Sequence, residues 1–354
     1  MTSFDMPVFD EFPYDDVVSA LPHAFGKPGA RGVLRARYED FIVDEQLPVE
    51  PDGSGEHVLL QVRKTGLNTQ DVARRLSRFS GVRQRDIGFA GQKDRNAVTT
   101  QWFSLLLTNQ GEPDWNELNS DEMRVLRAHR HGRKLKRGAL RANRFRLTLR
   151  EFDGDPDDIA ERIDAMRHIG MPNYFGAQRF GRRGSNLYGA LRMFASGKRP
   201  RQRNRAGMML SAARSLLFNQ VLAERVRQGS WATAMPGDYL ALDGSRSGFV
   251  CDAPDAEIEQ RLAAFDIHPS GPLYGDGPLK TRGEALALET RVLADWPEWR
   301  VGLENARASA DRRALRARIA DLEWELNGDS LRLSFELPRG SFATALVREL
   351  LTAR

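Results

Sequence analysis

Residues 322–335 read LEWELNGDSLRLSF, two short stretches of alternating apolar and polar side chains on either side of an Asn-Gly pair. Asn327-Gly328 is typical of a two-residue β-hairpin turn, whose central residues need positive φ angles. The sequence therefore predicts an antiparallel hairpin near the end of the chain, followed by a last helix over 342–351. A hairpin and one helix cannot bury their apolar faces alone, so we expect them to return to a sheet built by the N-terminal residues.

The N-terminal part of the chain contains the pattern of such a sheet. Strands are predicted where apolar and polar residues alternate, over 57–64, 98–107 and 145–150. In the first of these, Val58, Leu60 and Val62 share one face. A helix is predicted over 69–80, capped by Asn68 or Thr69 at its start and ended by Gly81.

The middle of the chain differs from the N-terminal part in composition. Residues 172–187 are rich in Gly and Arg and predict a loop, whereas helices are predicted over 211–225, 283–296 and 304–314. The elements do not follow a regular βαβ alternation, which indicates an α+β fold with antiparallel strand pairs. If the last hairpin returns to the first sheet, this middle part is an inserted domain.

Composition excludes several classes of protein. The 354 residues include one cysteine, Cys251, and six histidines, which argues against a disulfide framework and a cysteine-based zinc cluster. No run of 18 apolar residues is present, so we expect no membrane partner. Residues 1–16 are acidic and lack the layout of a signal peptide, and the expected setting is therefore reducing and cytoplasmic. The glycine patterns of P-loops and dinucleotide sites are also absent.

The positive charge of the chain is concentrated in two stretches. Lysine and arginine number 53 against 48 acids, a formal net charge of +5. Residues 124–150 hold eleven lysines and arginines and no acid, and residues 176–223 hold ten and again no acid. Such stretches favour a polyanionic partner, with nucleic acid ahead of a membrane surface. A solvated, arginine-rich surface is the alternative.

The sharpest local feature is residues 88–95, GFAGQKDR. Its two glycines permit a tight turn or a close approach of the backbone to a ligand. Asp94 lies between Lys93 and Arg95, and neighbouring cations favour the ionised form of a carboxylate, which can act as a nucleophile. Asp94 is therefore a candidate catalytic residue. On spacing alone, a turn aspartate between exposed cations is the competing interpretation.

A second candidate site lies in the first basic stretch, at Asn143 and Phe145. A side-chain amide can recognise the edge of a base, and an aromatic ring offers a stacking surface. A loop asparagine and a core phenylalanine are the alternative. Phe41 and Phe342 carry the same ambiguity, because most phenylalanines belong to a core.

These segments together resemble the TruD family of tRNA pseudouridine synthases, over nearly the whole chain. The resemblance rests on motifs that occur in one order: YEDFIVDE at 38–45, GSGEH at 53–57, KTGLNT at 64–69, GFAGQKDR at 88–95, PNYFGAQRFG at 172–181 and GSFAT at 340–344. Two positions depart from the common pattern. Tyr38 stands where relatives often have proline, and Arg35 where lysine is common.

The resemblance implies an enzyme that isomerises uridine to pseudouridine in tRNA, typically uridine 13 of the glutamate tRNA, with no cofactor and no metal. It implies a pseudouridine-synthase catalytic domain with a mixed, largely antiparallel sheet, made of residues 1–168 and 317–354. An inserted α/β TRUD domain, residues 169–316, would flank a basic cleft with it. The partner implied is tRNA, and no obligate protein partner is evident.

The resemblance also implies roles for individual residues. Asp94 matches the catalytic aspartate, Phe41, Asn143 and Phe342 match positions that hold the substrate, and Phe145 matches an aromatic residue that lines the pocket. The cations expected to bind RNA are Arg35, Lys93, Arg95, Arg133, Lys134, Lys136, Arg137 and Arg179.

Two other functions are compatible with parts of the pattern. A non-catalytic tRNA-binding module or chaperone shares the basic stretches but needs no special Asp94. A metal-dependent nuclease that uses Asp86, Asp94 and Lys93 requires a carboxylate cluster, of which the sequence gives little sign. Release of tritium from 5-tritiated uridine in tRNA distinguishes the isomerase from the binding module, whereas a nuclease would need magnesium and would cut the strand.

Overall fold

The structure is a computed structural model that describes residues 20–107 and 111–354, apart from the side chain of Arg203. The acidic residues 1–16 lie outside the described part of the chain. The strands are β1 (Arg31–Leu34), β2 (Phe41–Gln46), β3 (His57–Thr65), β4 (Gly88–Phe89), β5 (Val98–Leu106), β6 (Met123–His131), β7 (Ala142–Asp153), β8 (Met171–Pro172), β9 (Asp238–Leu242), β10 (Gly248–Cys251), β11 (Ile267–Leu273), β12 (Asp311–Ala314), β13 (Arg316–Ala317), β14 (Ala320–Asn327), β15 (Ser330–Pro338) and β16 (Thr352–Ala353). The helices are α1 (Thr69–Ser80), α2 (Pro156–Ile169), α3 (Ala177–Phe180), α4 (Ser185–Ser196), α5 (Arg203–Arg227), α6 (Ala256–Ala263), α7 (Gly283–Ala294), α8 (Pro297–Asn305) and α9 (Ala343–Leu350).

The chain divides into two compact units. Unit 1 comprises the described residues up to Pro28, together with Glu161–Arg318 and Ser341–Leu350. Unit 2 comprises Gly29–Ala160, Ile319–Gly340 and Leu351–Arg354.

Unit 2 is built on a ten-stranded sheet with the order β14-β15-β7-β2-β5-β3-β6. Outside this path, β1 pairs with β7 and β16, and β4 pairs with β5. The pairs β2–β5 and β1–β16 are parallel, and the other pairings of this sheet are antiparallel. The prediction of an α+β fold with a mixed, largely antiparallel sheet is confirmed.

The predicted terminal hairpin is present and joins this sheet. Strands β14 and β15 pair antiparallel, and β15 continues the sheet along β7. The turn itself is displaced by one residue from the Asn-Gly pair, because Asn327 pairs with Ser330 and the turn residues are Gly328 and Asp329. Gly328 has the positive φ, +60°, that the turn requires.

Helix α1 has the bounds that its capping residues predict. Asn68 and Asp71 form a capping box at its start, and Gly81 ends it with a left-handed φ of 72°. Val72 and Leu76 pack in the same apolar cluster as strand residues such as Val62. Full burial of one such side chain contributes about 1.5–3 kcal/mol to stability, so this contact holds α1 on the sheet.

Unit 1 is organised around α5, which begins at Arg203, eight residues before the start predicted at 211. Its buried residues, such as Phe218 and Leu222, share an apolar cluster with Tyr174 and Trp299. A four-stranded sheet, β10-β9-β11-β12, and a short pair, β13-β8, complete the unit. None of the helices in the described ranges is long and apolar enough to cross a bilayer.

Two predictions for the middle of the chain are wrong. Residues 304–314 do not form one helix: α8 ends at Asn305, and 311–314 form β12, which pairs with β11. Residues 172–187 are not a plain loop, because they contain β8, α3 and the start of α4. In both places, long-range packing decides against the local composition.

The two units differ from the predicted domain boundaries at the ends of the chain. The described residues before Gly29, and α9, belong to unit 1 rather than to the unit that contains the large sheet. The terminal hairpin therefore returns to that sheet as expected, whereas the terminal helix does not. The assignment of a catalytic and an inserted domain stays a prediction.

Candidate active site

Asp94 lies in the loop between β4 and β5 of unit 2, and hydrogen bonds from its surroundings hold this loop. The Lys93 amide donates to Thr69 Oγ1 at 2.9 Å, and the Thr69 hydroxyl donates to Gln101 Oε1 at 2.9 Å. The Gln101 side-chain amide in turn donates to the Gly91 carbonyl oxygen. Residues of α1 and β5 thus fix the backbone that leads into Asp94.

The Asp94 carboxylate is 17% exposed and is oriented by two partners. Its Oδ2 atom lies 2.8 Å from Arg35 Nη2, and its Oδ1 atom accepts the Asn96 amide at 3.1 Å. Arg35 has a φ of 64°, an uncommon conformation for a residue other than glycine. Strained conformations of this kind cluster at functional sites. Arg35, expected to bind RNA, here forms an ion pair with the candidate catalytic group.

Lys64 contacts the backbone of Asp94 and is fully buried. Its ammonium group donates to the carbonyl oxygens of Asp94, at 2.9 Å, and Leu67, at 2.5 Å. Burial lowers the pKa of Lys64 to about 8, and the charge of Asp94 partly opposes that effect. Sequence reasoning did not single out Lys64. The signal was present, because Lys64 continues the inward-facing series Val58, Leu60 and Val62 of β3.

Lys93 is also placed inside the unit. Its ammonium group lies 2.6 Å from Glu45 Oε2, with side-chain exposures of 7% and 0%. Glu45 Oε1 accepts the backbone amide of Trp102 at 3.2 Å, so both of its oxygens have partners. The charge of Lys93, a residue expected to bind RNA, is thus neutralised within the described structure.

One face of the large sheet carries most of the site. Residues paired across neighbouring strands point to the same face. The pairings of Lys64 with Thr99, Thr99 with Val43, Val43 with Phe145, and Phe145 with Phe335 form one continuous row. The row places the buried lysine and the aromatic residues on the same side of the sheet.

Three phenylalanine rings contact one another in series, and the Arg35 guanidinium contacts the first of them. We call these rings the phenylalanine wall. The Arg35 guanidinium lies 3.9 Å from the centroid of the Phe41 ring. Phe41 meets Phe145 edge-on at 6.2 Å, and Phe145 stacks on Phe335 at 5.3 Å. The structure thus brings three predicted site residues, Asp94, Phe41 and Phe145, into one connected group through Arg35. Sequence analysis did not link Phe335 to this group, because its contact with Phe145 depends on the register between β15 and β7.

Asn143 lies two residues before Phe145 on β7 and so shares its face. It is half-buried and pairs with Glu45 of β2 on one side and Leu337 of β15 on the other. Its Oδ1 atom is buried and has no hydrogen-bond partner within the described residues. A buried unsatisfied acceptor costs about 1–3 kcal/mol, and such a cost is explained if a ligand supplies the missing donor.

Phe342 and Arg179 belong to unit 1 and contact each other there. The Phe342 ring lies 5.9 Å from that of Phe175. The Arg179 guanidinium lies 5.1 Å from the centroid of Phe175 and 5.7 Å from that of Phe342. The structure thus brings the two unit 1 candidates, Arg179 and Phe342, together.

The remaining basic candidates lie on the surface of unit 2. Arg133, Lys134, Lys136 and Arg137 follow β6, are exposed, and form no ion pair with a described residue. The Gly138 amide donates to the Ala90 carbonyl oxygen at 2.6 Å, which anchors this loop to the segment that leads to Asp94. Arg95 is exposed and donates to the Gly66 carbonyl oxygen at 3.1 Å.

Comparisons with known proteins identify the family. The family model for tRNA pseudouridine synthase D (TruD) matches residues 18–191 and 196–350. The chain is 49% identical over 347 residues to the tRNA pseudouridine synthase D of Methylococcus capsulatus, which covers 98% of this chain and 96% of that relative. The chain belongs to the TruD family.

Further TruD relatives agree with this membership. The tRNA pseudouridine synthase D of Nitrosococcus oceani is 49% identical over 332 residues, 93% of each chain. A crystal structure described as a tRNA pseudouridine synthase D from Methanosarcina mazei has a TM-score of 0.69 at 22% identity, and covers 93% of this chain and 95% of its own. That structure supports the fold. The resemblance recognised from the motifs is confirmed, and the chain is an enzyme of the isomerase class.

The nuclease alternative finds no support in the geometry. Asp86 pairs with Arg83 at 3.0 Å, and Asp94 pairs with Arg35. The described residues contain no group of three or more histidine, cysteine, aspartate or glutamate side chains that could hold a metal ion. His131, one of two histidines in the basic stretch, instead lies 2.8 Å from Asp52.

Proposed function

We propose that this TruD-family chain isomerises uridine to pseudouridine in tRNA and that Asp94 is its catalytic carboxylate. One observation carries the proposal: Asp94 is a partly exposed carboxylate on an anchored loop, joined through Arg35 to the phenylalanine wall. The finer expectation, uridine 13 of the glutamate tRNA, comes from the family resemblance. Mapping the positions of pseudouridine in total tRNA, with and without the protein, tests that expectation.

The reaction needs the target nucleotide outside the base stack, at a cost of a few kcal/mol. Asp94 then assists cleavage of the bond between N1 of uracil and C1′ of the ribose. The detached uracil rotates, C5 bonds to C1′, and the proton on C5 leaves. Three routes are compatible with these bond changes: attack of the carboxylate on C1′, attack of the carboxylate on C6 of the base, and formation of a glycal intermediate.

The detached uracil must be held while it rotates. A phenylalanine ring can hold its face by stacking, and Phe41 and Phe145 lie in the same connected group as Asp94. The unpartnered Oδ1 of Asn143 can accept the N3–H of uracil, which is the donor that this oxygen lacks. Such positioning is worth a large part of the rate enhancement in an intramolecular reaction.

Asn143→Ala is expected to lower kcat/KM by about 10–100-fold, because the variant loses a hydrogen bond made only with the substrate. Its thermal stability should be unchanged or raised, since the Oδ1 atom has no partner to lose. Asn219→Ala is the control: its side chain accepts the Phe175 amide at 2.9 Å and donates to its carbonyl at 3.0 Å, so stability should fall. Full activity of Asn143→Ala would contradict the role.

The exposed cations between β6 and β7 are expected to bind RNA phosphates. When RNA binding releases counterions, the logarithm of the association constant falls linearly with the logarithm of the salt concentration. The slope steepens by about 0.7–0.9 for each phosphate contact. The double variant Lys134→Gln, Arg137→Gln should therefore bind tRNA more weakly and with a shallower slope. Filter binding across a salt series measures this.

A matched double variant on α1 controls for the loss of two charges. Arg74 and Arg75 are already paired, with Asp71 at 2.9 Å and Glu122 at 2.6 Å. Arg74→Gln with Arg75→Gln should leave the salt slope close to that of the wild type. Equal slopes for all three proteins would reject the loop as a phosphate-binding surface.

The activity itself is tested by tritium release from tRNA that carries 5-tritiated uridine. Loss of the C5 proton is required in every route above, so the wild-type protein should release tritium without added metal or cofactor. Binding of tRNA without tritium release would instead support a non-catalytic tRNA-binding module.

A further inference from the structure

Two half-buried arginines of unit 1 have incomplete sets of partners. Arg179, on α3, donates to Ser211 Oγ at 3.1 Å, and Arg214, on α5, donates to the Leu273 carbonyl oxygen at 3.2 Å. The Nε atom of each is buried and has no hydrogen-bond partner among the described residues. Neither guanidinium is ion-paired with an acid of the described chain. Their positive charge is therefore not neutralised by a direct contact.

The two arginines approach the same surface of α5. Ser211 and Arg214 are three residues apart, so their side chains lie on one helix face, about one turn apart. Arg179 contacts that face through its hydrogen bond to Ser211. Two guanidinium groups and one hydroxyl group thus lie along a short length of α5.

Two aromatic rings contact the Arg179 guanidinium. It lies over the rings of Phe175 and Phe342 at 5.1 and 5.7 Å. A further guanidinium, that of Arg313, lies 4.2 Å from the centroid of Phe175. A guanidinium that lies over aromatic rings can still donate its N–H groups in pairs to two oxygens of a phosphate or carboxylate.

The electrostatics of the cluster favour an anion. Burial lowers the pKa of Arg179. Burial also lowers the pKa of Arg214, and the negative charge of Asp311 only partly opposes that effect. Burial of a cation costs free energy unless an opposite charge compensates it. Asp311 is exposed and makes no ion pair with Arg214. An anionic ligand that contacts both arginines would supply the compensation.

We propose that Arg179 and Arg214, with the Ser211 hydroxyl, bind one phosphodiester group of the substrate RNA backbone. The inference rests on the proposed function, which supplies an RNA ligand. Phosphate suits the cluster because its oxygens accept paired N–H donors from a guanidinium, and such charge-assisted bonds are the strong ones. Each arginine side chain has one described hydrogen-bond acceptor, so further N–H donors remain for a phosphate.

The test is a double-mutant cycle between the protein and the RNA. Single methylphosphonates, which remove the charge of one phosphate, are placed one at a time along the substrate tRNA, and Kd is measured by filter binding. Arg179→Gln should weaken binding of unmodified tRNA by about 10–100-fold. One methylphosphonate should weaken binding to the wild type by a similar factor and have little further effect on Arg179→Gln.

Arg291→Gln is the matched control in unit 1. Arg291 is exposed and pairs with Glu224 at 3.0 Å, so its variant should keep the wild-type response at every methylphosphonate position. Additive effects of Arg179→Gln and every methylphosphonate would overturn the proposal. Thermal stabilisation by inorganic phosphate that needs Arg179, combined with additivity on RNA, would also overturn it and assign the cluster to a free anion.

Folding of the variants is measured by thermal melting. If Arg179→Gln does not fold, because its contacts with the rings of Phe175 and Phe342 are lost, Arg214→Gln carries the same cycle. The described contact of the Arg214 guanidinium is with the Leu273 carbonyl oxygen. Tritium release by the wild type separates the two proposals. Release together with additive cycles rejects only the phosphate site, whereas tRNA that is neither bound nor modified rejects the proposed function.

Discussion

Asp94→Asn is expected to abolish pseudouridine formation, with a rate at least about 10⁴-fold below that of the wild type. The amide has the shape of the carboxylate and can still accept the Asn96 backbone amide, so the loop should keep its structure. It lacks the negative charge and the nucleophilic oxygen that bond cleavage needs. Affinity for tRNA should remain within about threefold of the wild type, because phosphate contacts dominate it.

A second carboxylate in unit 2 gives a matched control. Asp44 lies 2.8 Å from Arg146, the same distance that separates Asp94 from Arg35. Asp44 is adjacent to Val43 on β2 and so points to the opposite face of the sheet. Asp44→Asn should retain activity in the tritium-release assay. Comparable turnover by both variants would show that the reacting carboxylate lies elsewhere.

Lys64→Met should give the second largest effect, a fall in kcat of about 100-fold with little change in KM. Lys64 acts through Asp94 and is a positioning residue: without its ammonium group, the carbonyl oxygens of Asp94 and Leu67 lose their donor. A misplacement of about 1 Å in a catalytic group can cost about 10²-fold in rate. Lys27→Met, a change at an exposed lysine of unit 1, is the control and should leave kcat unchanged.

The pH dependence distinguishes positioning from a loss of folding. The Lys64 pKa of about 8 means that the ammonium form is lost as the pH rises through 8, so wild-type kcat should fall there, and the fall should be absent in Lys64→Met. The contribution of Lys64 to the free energy of unfolding should instead increase as the pH rises. Between the folded pKa of about 8 and the ordinary value of 10.5, the unfolded chain binds more protons, so stability gains from this group as pH rises. Denaturant titrations of both proteins on either side of pH 8 measure that difference.

Local signals in the sequence predicted the elements whose boundaries depend on adjacent residues. Helix α1 begins and ends at its capping residues, Asn68 and Gly81, because those groups lie next to the helix termini that they satisfy. The hairpin of β14 and β15 follows from its alternation, although strand register shifted the turn by one residue. Residues 311–314 were assigned to a helix in error, because their pairing with β11 involves residues about forty positions away.

The candidate site shows the same division. Asp94 stood out through its motif and family resemblance, whereas its residue spacing alone fitted an ordinary turn. Lys93 looked like an exposed cation, but folding brings Glu45 to it from 48 positions away. Phe335 could not be linked to Phe145 without knowledge of the register between β15 and β7.

The sequence by itself determined the family, the α+β class, the terminal hairpin and the candidate catalytic aspartate, because these depend on motifs and on interactions between near neighbours. Only the tertiary structure decided which charges are paired and which polar atoms are left without partners. Lys64 in contact with Asp94, the open Oδ1 of Asn143 and the unpaired guanidinium of Arg179 are examples. The physical reason is that burial and the pairing of charges depend on residues brought together from distant parts of the chain, which no local pattern specifies.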